Sequence, residues 1–301
     1  MPNLRDSLLG VSGAVADSGL LTWAPPTLTS PTTYHISNGS TNFVGTGNDA
    51  IMVFDSIVNV DTTLIIKNFR NVRLIGGEMD GVGSTQTCLR IRGCSGTVHI
   101  EGLWLKGLLN TAPVDLIAFN DAKPSGTQIV QIQNCRIGPN HGVDPVHPDG
   151  IQDQGSQIDG LRLDRLTITT ELQAIFLKSA GLAGGYMTNV DIRNVNVSGI
   201  PGANLFWQEL ATTAPITMQN VWLDGTDPAR PNLSNMVYPD ATGLLYDSTP
   251  TTRKFVQAAD GLSGSWINTN IAGTVFKGQP PRGDFCPAGV AGMSYVSPGY
   301  L

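Results

Sequence analysis

Charge is scarce in this chain: Asp, Glu, Lys and Arg make up 14% of its 301 residues, against about a quarter in ordinary globular domains. The net charge of −6 forms no basic stripe, which argues against nucleic acid as a partner. Long apolar runs are also missing. No stretch reaches the roughly 18 residues that would suggest a membrane helix, so no membrane span is expected. No segment joins helical apolar periodicity to strong helix formers, which argues against a helical bundle. Residues 1–23 carry Asp6 and Asp17 and lack the basic start and compact apolar centre of a signal peptide. Cysteines are few. Cys88, Cys94, Cys135 and Cys286 match no metal or secreted-disulfide spacing, although Cys88 and Cys94 flank one short strand and could bridge. Cys135 reads as a small core residue. Gly (35) and Pro (19) are plentiful and suit many tight turns.

One pattern fills the middle of the chain: apolar-x-apolar-x-x-apolar-x-apolar. It reads Val72-Leu74-Gly77-Met79, Val98-Ile100-Leu103-Leu105, Val130-Ile132-Cys135-Ile137, Leu161-Leu163-Leu166-Ile168, Val190-Ile192-Val195-Val197 and Ile216-Met218-Val221-Leu223. Successive copies start 26, 32, 31, 29 and 26 residues apart. Alternation by two predicts a strand with one buried face. The extra residue between the halves, often Gly102, Asn134, Asn194 or Asn220, predicts a bend. Between copies lie second short strands at 88–91, 116–119, 150–152, 174–177 and 204–207. A sustained repeat means stacked units sharing one core. The expected fold is all-β: a single right-handed parallel β-helix of three sheets spanning 35–225, with continuation to 276 left open. Residues 1–34 form an N-terminal cap or attachment arm. Residues 277–301 form an extended C-terminal tail that caps the helix or docks on a neighbouring subunit.

The densest polar cluster runs from Asn140 to Gln154 and includes His141, Asp144, His147, Asp149 and Asp153. Pro148 and Gly150 fix the turn around Asp149 as it enters a strand, where a carboxylate can act in acid–base catalysis or hold Ca²⁺. Strand alignment stacks Asp115, Asp149 and Gln173 on successive coils about 4.8 Å apart. No cofactor is implied apart from a Ca²⁺ ion that Asp115, Asp149 and Asp153 could hold; Glu171 is an alternative ligand. Candidate catalytic residues are His147, Asp149 and Lys178, with Arg193 and His141 as further cations. Candidate binding residues are Asp115, Gln152, Asp153, Gln173, Phe176 and Phe206. Of these, Gln152, Phe176 and Phe206 are expected to point outward with Ala118, forming either a sugar-stacking platform or a covered subunit contact.

The coil pattern resembles the pectin-lyase-like β-helix superfamily, which includes polysaccharide lyases, polygalacturonases, and phage tailspikes and tail proteins. The segment HPDGIQ (147–152) is similar to the Asn-Thr-Asp-Gly-Ile-Asp stretch of polygalacturonase-type glycosidases, and QAIFLKSA (173–180) to the strand after their aspartate pair. Leu172 and Gln173 then stand where that pair belongs. The Gly-His-Gly and Arg-Ile-Lys motifs have no counterpart, Asp191-Ile192-Arg193 being a poor substitute. Hydrolysis needs two carboxylates flanking the bond, so these departures argue against it. The resemblance therefore implies a structural virion protein of a phage tail or tail tip, located in the virion. Its expected partners are other tail proteins, further copies of itself as a trimer, and a host cell-surface polysaccharide. The alternative is a polysaccharide lyase or glycosidase acting near Asp149.

Overall fold

The computed structural model describes residues 19–59, 63–80, 87–106, 115–119, 128–140, 149–154, 158–178, 187–199, 205–208, 214–225, 232–238, 254–267 and 269–301. These residues form a parallel β-solenoid whose strands line three faces. The first face pairs Thr32–Ile36, Ala50–Phe54, Val72–Ile75, Thr97–Glu101 and Ile129–Gln133 in parallel, then the leading halves of Gly160–Thr170, Asn189–Gly199 and Ile216–Gly225, and finally Ile271–Lys277. The second face pairs Val58–Asn59, Glu78–Asp80, Trp104–Lys106 and Arg136–Asn140 with the trailing halves of the long strands. The third is an 8-stranded sheet: Asn42–Val44, Leu64–Lys67, Leu89–Arg92, Ile117–Phe119, Ile151–Gln154, Ile175–Lys178, Phe206–Gln208 and Val237–Tyr238.

The repeat predicts both register and core. Val72, Val98, Val130, Leu161, Val190 and Ile216 pair in one line, and all are buried. Gly77, the one non-apolar position, is explained by Phe54: a Cβ at Gly77 would lie 2.2 Å from its ring. Phe54 supplies the apolar volume there instead. The bend between first and second faces is a left-handed residue at each coil: Gly102 (φ 67), Asn134 (φ 53), Arg165 (φ 53), Asn194 (φ 48) and Asn220 (φ 58). Asn tolerates this region because its short amide can bond locally. Here the amides also bond up the stack, Asn220 Nδ2 to Asn194 Oδ1 at 2.8 Å and Asn194 Nδ2 to Asp164 Oδ1 at 2.8 Å. Arg165 has no such amide, so Asp164 takes that place in the ladder.

The far end is closed by an antiparallel pair, Lys254–Gln257 with Ser263–Ile267, added to Ile271–Lys277. Phe206, Trp266 and Phe255 interlock there, with ring centroids 5.6 and 5.0 Å apart. Both terminal segments lie against the outside of the solenoid. Residues 19–26 cross the first face, and 284–301 run down the corner between the first and second faces. They meet where Leu21 bridges Tyr300. All four cysteines are buried free thiols.

Candidate functional site

The third-face strands begin with a stacked polar column: Thr87, Asp115, Asp149 and Gln173. Backbone bonds hold the line, Cys88 N to Asp115 O at 3.0 Å, Leu116 N to Asp149 O at 2.9 Å and Gly150 N to Gln173 O at 2.9 Å. The expected stacking of Asp115, Asp149 and Gln173 is therefore present. The column does not face an open groove: Asp149 is 0% exposed, and Asp115 and Gln173 are buried. Gly150 lets the backbone close down, since a Cβ there would sit 2.7 Å from Ala174 O and 2.9 Å from Ile168 Cγ2.

Asp149 has an unusual environment. Its N–H donates to Asp115 Oδ1 at 3.4 Å and its carbonyl accepts from Asn140 Nδ2 at 3.3 Å. Among the described residues, neither Oδ1 nor Oδ2 of its own carboxyl accepts a hydrogen bond of good geometry. Burial, then the neighbouring Asp115 charge, push its pKa well above the ordinary value; the backbone N–H of Gln173 only partly offsets them. Burial likewise pushes Asp115 up to about 6, against lowering contributions from the Asp149 N–H, Arg90 and Thr87. Burial with so little hydrogen bonding penalises the charged form of a carboxyl. Asp149 is thus a buried acid whose environment favours its neutral form.

The other expected members do not all gather here. Asp153 stands four residues further along the same strand, about 13 Å away by extended geometry. It is buried and paired in register with Phe119 and Leu177. Ligands of one Ca²⁺ each lie within about 2.6 Å of it, so Asp115, Asp149 and Asp153 cannot share an ion. No group of three potential ligands occurs among the described residues. Arg193 lies on a different face, its guanidinium bonded to Asp191 at 2.8 and 2.7 Å. Lys178 ends its strand opposite Gln154. His141, Asp144 and His147 fall outside the described residues.

The outward row beside the column reads Arg90, Ala118, Gln152, Phe176, Trp207. Ala118 is covered, whereas Gln152, Phe176 and Trp207 are half-buried. Phe176 and Trp207 meet edge to face at 6.0 Å and 78°. Phe206 corrects the sequence reading. It pairs with Ile175 and points into the core, 2% exposed. Leu205 O accepts from both Ala174 N and Ile175 N, which shifts the register by one and turns Trp207 outward. Three consecutive apolar residues, Leu205-Phe206-Trp207, gave alternation no means of choosing.

Sequence reasoning missed a second polar assembly, on the outside of the first face. His99, Glu101, Gln131, Gln133 and Asp164 point away from the core, yet the terminal segments bury them. Gln131 Nε2 lies 2.7 Å from His99 Nδ1 and also donates to Ala24 O. Because the amide nitrogen can only donate, His99 donates through Nε2 to Glu101 Oε2 at 2.8 Å. Glu101 also accepts the hydroxyls of Tyr295 at 2.7 Å and Tyr300 at 2.5 Å. Burial raises the Glu101 pKa, but bonds from His99, Tyr300, Ser297 and Tyr295 outweigh it and hold the carboxyl below its ordinary value. Outward strand positions rich in His, Glu and Gln, together with a tail rich in Tyr, were the available signal.

Searches of protein-family models, curated proteins and solved structures found no match to this chain. No helix among the described residues is long and apolar enough to cross a membrane.

Proposed function

We propose that this chain is a structural β-solenoid of a phage tail or tail tip that presents its third face to a cell-surface polysaccharide. The observation that carries the binding part is the outward row Gln152, Phe176, Trp207 on adjacent coils. Sugar rings stack on aromatic faces while their hydroxyls bond to neighbouring amides. Coils spaced about 4.8 Å apart give a saccharide chain a regular track. A continuous parallel ladder also resists local opening, which suits a particle exposed to proteases. The virion assignment draws on the superfamily resemblance of the repeat. Copies would assemble with one another and with other tail proteins.

A second reading, cleavage of the polysaccharide near Asp149, has one point in its favour: a carboxyl with a raised pKa suits a general acid, which must hold its proton. Its complete burial in this structure weighs against that role. Binding to an array of bacterial polysaccharides, followed by Trp207→Ala and Phe176→Ala, tests the first reading. Loss of binding by about fivefold or more in each variant is expected, taking sugar stacking to be worth about as much as the roughly 1–3 kcal/mol of a base on an aromatic ring. Unchanged binding refutes the platform. Reducing ends or unsaturated product released by the wild type, and lost in Asp149→Asn, would establish the enzyme instead.

A further inference from the structure

We propose that the outside of the first face is a peptide-binding groove able to take residues 19–26 of a second copy, so that neighbouring chains exchange their N-terminal straps. The groove reads an extended backbone. Gln133 accepts from Trp23 N at 2.9 Å and donates to Trp23 O at 2.6 Å, clamping both polar atoms of one residue. Gln131 donates to Ala24 O at 2.9 Å, and Arg73 reaches Pro26 O with two nitrogens at 3.0 and 2.7 Å. Two contacts add sequence choice. The Thr22 hydroxyl donates to Asp164 Oδ2 at 2.7 Å, and the Trp23 ring lies 5.4 Å from the Arg193 guanidinium and 5.8 Å from that of Arg162.

The backbones that carry these groups are rungs of the solenoid, paired on both sides independently of the strap. Gln133 and Asp164 are 0% exposed beneath it, so a groove without a strap would open them to solvent and to any matching backbone. The strap also bridges Leu21 to Tyr300, buries the Leu21 side chain completely and accepts from Arg165 at Gly19 O, 2.9 Å. Residues 27–31 link it to the first rung, where Thr29 N donates to Asp49 Oδ2 at 2.6 Å. Nothing in the contact set distinguishes a chain's own strap from an identical one. The tether alone favours the intramolecular partner, through an effective concentration on the order of millimolar. Copies held side by side, as in the assembly proposed above on which this step rests, would reduce that advantage. This inference is independent of the polysaccharide reading.

The test uses full-length protein and a fluorescent peptide with the sequence of residues 19–26. Trp23→Ala weakens the resident strap, so the variant should bind the peptide saturably and more tightly than wild type, whose groove is filled. Adding Gln133→Ala should weaken binding at least about tenfold, since two hydrogen bonds are lost. No binding to the folded Trp23→Ala chain, equal binding to wild type, or binding indifferent to Gln133→Ala overturns the proposal. If Trp23→Ala fails to fold, Thr22→Ala, which removes only the bond to Asp164, takes its place under the same criteria.

Discussion

Replacing Asp115 by Asn should stabilise this protein at neutral pH. Burial places the Asp115 carboxyl at about 6 in the fold, against an ordinary value of 3.8. A raised folded pKa means a stability contribution fully present below about 3.8 and lost as pH rises through about 6. The difference is about 2 units, and at 1.36 kcal/mol per unit it amounts to about 3 kcal/mol as an upper figure. An amide never ionises, yet keeps an oxygen for the Asp149 N–H bond. The nearby Arg90 loses its attraction to the carboxylate, which trims the gain. For a chain of this size 1 kcal/mol moves the melting temperature by roughly 2 °C. Asp115→Asn should therefore melt up to roughly 6 °C higher than wild type near pH 7, and the two curves should converge near pH 4. Thermal unfolding followed by far-ultraviolet circular dichroism across that range checks it. Curves that stay parallel, or a wild type that is the more stable above pH 6, would refute the picture of a desolvated acid and indicate a charged carboxylate with a partner.

Gly102→Ala should destabilise the protein by about 2 kcal/mol or more, because the residue sits at φ 67 and its new Cβ would fall 2.1 Å from the Tyr295 ring; chemical denaturation measures this, and an unchanged midpoint would contradict the packing of the tail. The Glu101 anchor has the opposite pH sign to Asp115: its lowered pKa contributes stability above the ordinary carboxylate range and loses it as pH falls. Proteolysis of the C-terminal tail should accordingly accelerate in acid, and Tyr300→Phe should show the same acceleration at neutral pH. Truncation after Pro280 removes Asp284, Tyr295 and Tyr300, which bond to Arg136, Asn196 and Glu101. The shortened chain should melt lower and become cleavable within residues 19–26, as mass spectrometry of a limited digest would reveal.

The residues most legible in the sequence were those whose neighbours are set by period alone. Val98, Val130 and Leu161 align because two-residue alternation fixes which side chains turn inward, and a thirty-residue repeat fixes which coil stacks on which. The same logic placed Asp115, Asp149 and Gln173 in one column, and marked Gly102, Asn134, Asn194 and Asn220 as bends. It failed at Leu205-Phe206-Trp207, where every register offers an apolar residue to the core. It also failed for the calcium triad, since closeness in sequence places Asp153 about 13 Å along the strand from Asp149.

By itself, then, the amino-acid order determined the solenoid, its rungs and its interior, because backbone pairing and apolar burial repeat locally with each coil. Only the tertiary structure decided what lies on the outside. Whether Asp149 meets solvent, whether Phe206 or Trp207 faces outward, and that His99 and Glu101 are sealed beneath the terminal segments with Tyr295 and Tyr300 on Glu101 all depend on contacts between segments up to 199 residues apart. Such contacts have no period, so no pattern in the sequence announces them.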